Sequence, residues 1–148
     1  MSNKRANNPQ EHYGVDEKKP GQTHVLRIYE DAQGNSHMEE IAIATKVSGN
    51  AREGGIAAAT GISIREYQPR YLNDWHTVPM RKFGITIVGE LEVEVSGGVK
   101  RRVRTGELVF LEDTKGKGHI TRIPNPATNL FITVPDSFDV VAWAMGED

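Results

Sequence analysis

"NDWHTVPMRKFGITIVGELEVEVSGG", residues 73–98, sets a histidine, a proline and a basic pair ahead of two alternating apolar runs. Phe83–Val88 and Leu91–Val95 repeat with period two, the signature of half-buried strands. Gly89-Glu90 and Gly97-Gly98 follow them as turn signals. His76 therefore reads as a residue immediately before a strand. Lys82, Gly84, Thr86 and Val88 share one face of that strand, and Phe83, Ile85 and Ile87 share the other.

Outward from this stretch the same grammar continues. "VKRRVRTGE", "LVFLED", "HITRIP" and "LFITVP" read as further short strands, and "SFDVVAWAM" as a strand or short helix. Upstream, "ISIREYQP" is a strand ended by Pro69. Val25–Tyr29 and Ile41–Ala44 are strands around a Gly34-Asn35 turn. Residues 48–61 are a flexible connection with an expected strand through Ile56–Ala59. Short strands at regular spacing, punctuated by glycine and proline and without a strong amphipathic helix, predict an all-β sandwich or barrel. Residues 1–22 carry little to bury and read as a disordered polar arm before a domain over 23–148.

Composition narrows the function. The 148 residues hold 18 Lys+Arg against 20 Asp+Glu, so no excess of positive charge points to nucleic acid or an anionic membrane. "KRRVR", residues 100–104, lacks interleaved aromatics and reads as a solvated edge, Lys100, Arg102 and Arg104 facing one way, Arg101 and Val103 the other. With no cysteine, thiolate metal sites and cysteine nucleophiles are excluded, and the cytoplasm is the expected compartment. No apolar run is long enough to cross a membrane as a helix.

From Gly61 to about Pro135 the chain resembles the cupins, small double-sheet jelly-roll barrels. Gly89 matches the closing glycine of their first motif. Counting back, His76 takes the first histidine position, Val78 the second and Lys82 that of the glutamate. In the second motif Gly106, Gly116 and His119 match, while Glu107, Thr114 and Ile123 stand for the aspartate, proline and asparagine. The resemblance implies a cupin-like jelly-roll barrel, a small-molecule pocket and frequent dimerisation. It does not specify a reaction, since the fold hosts many.

The family's usual metal is held by three histidines and a glutamate. Here only His76 and His119 stand at ligand positions, and Lys82 would set a cation beside the ion, a repulsion of ~4 kcal/mol at 4 Å and an effective dielectric of 20. The expectation is a metal-free pocket. If a divalent metal is present, His76 and His119 hold it, with Asp113 or Glu112 as a substitute oxygen donor.

In the implied register Lys82 points inward beside both imidazoles, a combination suited to a small anion. Burial and a neighbouring cation both favour a neutral lysine, and histidine moves protons near neutral pH. His76, Lys82 and His119 are the candidate catalytic residues, for proton transfer on a small acidic metabolite. Arg65, Trp75, Thr86, Asp113, Thr114 and Lys117 are candidate ligand-binding residues, with Asp113, Thr114 and Lys117 on a loop at the barrel mouth. A non-catalytic binding or sensing module and a metal-dependent enzyme with a reduced ligand set are the alternatives. Phe83, Ile85 and Ile87 would then be covered by the amino-terminal strands or by a second subunit of a homodimer. The other possibility is the opposite register, with those three in the core and Lys82 in solvent.

Overall fold

A computed structural model describes residues 23–147; the expected polar arm over 1–22 lies outside them. The described chain is nearly all strand: β1 (His24–Glu30), β2 (Ser36–Ala42), β3 (Lys46–Ser48), β4 (Ala51–Glu53), β5 (Gly61–Tyr67), β6 (Tyr71–His76), β7 (Lys82–Val88), β8 (Leu91–Val95), β9 (Val99–Val103), β10 (Leu108–Leu111), β11 (His119–Ile123) and β12 (Ala127–Thr133), then a short helix α1 (Val140–Ala144). One sheet runs β2-β1-β10-β7-β12-β5 and a second runs β6-β11-β8-β9.

From β5 onward the strands pair in nested fashion: β5 with β12, β6 with β11, β7 with β10, β8 with β9. That nesting, split between two facing sheets, is the eight-stranded jelly roll. β1 and β2 extend the first sheet beyond β10, β1 lying parallel to it. The all-β, cupin-like jelly-roll architecture expected from the sequence is therefore the architecture found.

Three local readings differ. "YLNDWH", the strand β6, carries no clean alternation, and His76 ends this strand as well as preceding β7. Ile56–Ala59 is not a strand; the connection instead folds a small hairpin of β3 and β4. Arg101 is buried rather than solvated. It faces inward with Val103 and bridges the sheets through Glu40 of β2 and Glu107.

Alternation sorts the side chains of the first sheet as the sequence predicts up to Thr86; Val88, expected on the inward face, is 58% exposed beyond the register shift between Thr128 and Asn129. Lys82, Gly84 and Thr86 look into the barrel, whereas Phe83 lies on the outer face among Phe110, Phe138 and Trp143. The cover over Phe83 is not β1 and β2, which continue the same sheet. It is α1 and the segment around Ile43 and Ala57. Asp139 caps α1, its carboxylate accepting from the Ala142 amide, and Arg81 ties the segment down by donating to the carbonyls of Asp136 and Phe138. The cover stops short of Ile62, Ile64 and Ile87, which remain 72%, 56% and 45% exposed.

Candidate functional site

The two sheets enclose a cavity of about 340 Å³. Leu91, Val93, Val103, Val109 and Leu111 supply its apolar lining. Polar side chains come from both sheets.

The first wall belongs to the six-stranded sheet. Register puts Asn129 beside Arg65 on one side and Thr86 on the other, a rung of three inward side chains across β5, β12 and β7. On the next rung Phe131 lies between Ser63 and Gly84. A Cβ at Gly84 would meet the Phe131 ring at 3.2 Å, so glycine here makes room for that ring. Lys82 in turn lays its ammonium 4.2 Å from the ring centre. Burial and, secondarily, the nearby Arg65 charge push Lys82 below its ordinary value of 10.5.

The second wall carries both histidines. His119 on β11 pairs with His76 on β6, and their ring centres are 4.4 Å apart. A bulge lies between this pair and the Thr121–Asn73 pair. In an unbroken strand Asn73 and His76, three residues apart, would face opposite ways. The extra residue brings both to the cavity.

Each imidazole is held from behind. His119 Nδ1 donates to Asp113 Oδ2 at 2.5 Å, and His76 Nδ1 donates to the Asp74 carbonyl at 2.8 Å. With the Nδ1 proton engaged in each contact, the lone pair of a neutral ring lies on Nε2. Burial lowers the His76 value below 6.5; the Asp74 contact opposes this and His119 adds to it. A base depressed in the folded state weakens the fold once protonated. Its contribution is thus intact above 6.5 and lost as pH falls below it. Ring titration by NMR should place the His76 midpoint below 6.5, and acidification should lower the melting temperature less in His76→Asn than in wild type.

The other expected ligand residues separate into two groups. Arg65 and Thr86 line the cavity. Asp113 does not sit on the rim: it is 0% exposed, behind His119, with its second oxygen unpaired. Trp75, Thr114 and Lys117 are not among the lining residues; Lys117 lies outside with its ammonium 4.3 Å from the Trp75 ring centre. The loop is pinned rather than free, since Gly116 packs on Gly34 and Gly118 on the His76 backbone. Asn73, Thr121 and Asn129 line the cavity and were missed. Asn129 had a legible signal, an amide at an inward position of an apolar strand.

A metal fits poorly. The resemblance would ask for four donors, but Val78 and Lys82 stand at two of those positions, and among the described residues no three His, Cys, Asp or Glu side chains converge. Nor do the described lining residues include a carboxylate. The lining thus combines two imidazoles with Lys82 and Arg65.

No family model matches the chain. Over 60 residues it is 37% identical to the Oryzines biosynthesis cluster protein J of Aspergillus oryzae, a stretch that takes in 40% of this chain and 32% of that protein. Among solved structures, EutQ of Clostridium difficile is 26% identical, with 53% of this chain and 58% of that one covered at a TM-score of 0.43. A putative ethanolamine utilization protein Q from Salmonella typhimurium LT2 is 12% identical, covering 77% and 97% at 0.42. A cupin domain from Bordetella pertussis Tohama I is 15% identical, covering 80% and 97% at 0.40. These superpositions are loose, and it is the nested strand pairing that identifies the jelly roll. Among the described residues no helix is long and apolar enough to cross a membrane.

Proposed function

We propose that the barrel binds a small carboxylate and moves a proton on the carbon beside its carbonyl group. The observation that carries this reading is the Asp113–His119 pair opening into a cavity that holds Lys82 and Arg65 but no acid among its described lining residues. His119 Nε2 takes the carbon-bound proton as general base, the C–H electron pair forms the C=C bond as the C=O π pair moves onto oxygen, and Lys82 stabilises the resulting enolate. Arg65 holds the carboxylate. Returning the proton to another atom gives isomerisation, and expelling a neighbouring group gives elimination.

Deuterium exchange tests this directly. In D2O, the protein should exchange the C3 protons of pyruvate or oxaloacetate faster than buffer, read by proton NMR. Lys82→Met should remove the excess while leaving the melting temperature nearly unchanged. Stabilisation by these acids without exchange would instead favour a binding or sensing module. Wild-type exchange in Lys82→Met would remove Lys82 from the mechanism.

The cytoplasm remains the expected compartment. A homodimer is also part of this reading. The outer face of the four-stranded sheet is crossed by ion pairs, Arg122 with Glu92 and Glu94, and Arg102 with Glu90. The corresponding face around β5, β12 and β7 presents Ile62, Ile64, Ile85, Ile87 and Leu130. An apolar patch of this kind suits a second copy of itself across a two-fold axis. Light scattering should give twice the chain mass for wild type and the single chain mass for Ile64→Glu; a monomeric wild type would discard the dimer.

A further inference from the structure

We infer that the ligand bears a hydroxyl group close to its carboxylate, and that Asn129 with Thr86 reads it. The inference rests on the anion site described above and names its substrate class more narrowly.

Asn129 is the starting point. It is 6% exposed, sits on an inward position of β12 and lines the cavity, yet its amide oxygen has no partner. Buried polar groups are paired in the great majority of cases, and asparagine is depleted from strands. Neither packing nor backbone preference therefore accounts for an amide here. A polar group kept unpaired on a cavity wall is available to whatever enters the cavity.

The surroundings fix what that group is. Thr86, 1% exposed, stands directly beside Asn129 across β7, and Arg65 stands on its other side across β5. Adjacent strands are about 4.8 Å apart, so one small group between Asn129 and Thr86 meets both. A hydroxyl both donates and accepts, as an amide and a threonine hydroxyl require together. Inward rungs on one strand are about 7 Å apart. Lys82 bridges part of the distance by leaning over Phe131, which occupies the rung between it and Asn129. Ammonium, guanidinium and amide thus surround a space suited to a three- or four-carbon hydroxy acid.

Matched acids that differ by one hydroxyl test this. Isothermal titration would compare malate with succinate, and lactate with propionate, on the intact protein. Wild type should prefer the hydroxylated member of at least one pair by about tenfold, the effect of one well-made hydrogen bond. Asn129→Leu, close in volume, should bring that ratio near one while keeping the affinity for succinate or propionate. Should that variant fail to fold, the side-chain amide resonance of Asn129 in wild type answers the same question: it should shift with malate and not with succinate.

Equal affinity within both pairs, with binding intact, overturns the hydroxyl inference and leaves the anion site standing. A preference that persists in Asn129→Leu, or an amide resonance indifferent to malate, removes Asn129 from the recognition. No binding by any of the four acids counts against the anion site itself, and this inference falls with it.

Discussion

Replacing Gly118 with alanine is expected to lower the melting temperature by at least about 10 °C, and to abolish ligand binding where the protein still folds. Gly118 has a φ of +77°, and a Cβ there would fall on the carbonyl oxygen of His76. The positive φ alone costs about 1–2 kcal/mol for an L-residue. The overlap is with backbone, so no side chain can swing aside, and either β6 or the loop must shift. A total of about 3 kcal/mol or more is expected, a large share of a typical domain's stability. The displaced atoms belong to His76, so the damage reaches the cavity as well as the fold. Calorimetry measures the first effect and titration with malate the second. A Gly118→Ala protein melting with wild type would show that the contact is not as close as described.

Asp113→Asn should slow deuterium exchange by about 10³-fold, within the range for loss of a positioned general base, while changing acid affinity by less than about threefold. The carboxylate accepts from His119 Nδ1 and so directs the Nε2 lone pair to the cavity. An asparagine can present its NH2 group to the ring instead, which favours the opposite tautomer and leaves a proton where the base should be. Asp113 touches the ring and not the ligand; it is a positioning residue. A purely structural role would lower stability without separating exchange from binding. Nitrogen-15 shifts of the His119 ring should report the change of tautomer. Equal exchange rates in variant and wild type would end the general-base assignment.

Much of the barrel was legible because its strands alternate cleanly. "FGITIV" and "LEVEV" declared their faces, and Lys82, Gly84 and Thr86 lie inward where period two puts them, though Val88, expected with them, does not. β6 was not legible, because a bulge breaks its period where it does its positional work: Asn73 and His76 both reach the cavity only through the extra residue. Loop residues failed for a related reason. Asp113 reads as exposed because it is an acid in "EDTKGKGH", and nothing in that string reveals that a histidine six positions on turns back upon it. Long-range partners also decided the cover over Phe83. An aromatic tail containing Phe138 and Trp143 was visible, but not its destination.

The nested pairing of β5 through β12 has a consequence for how the chain acquires its shape. Only the innermost pair, β8 with β9, is a local hairpin; each pair outside it encloses a longer loop, until β5 meets β12 with Tyr67 opposite Ala127. Loop-closure entropy delays such distant encounters, and folds dominated by them form in milliseconds to seconds rather than microseconds. During synthesis the open wall of the barrel waits for its last strand, and Arg65, already made, has no Asn129 to stand beside until the ribosome has released some sixty further residues. The proposed ligand site is thus among the last features of the molecule to exist.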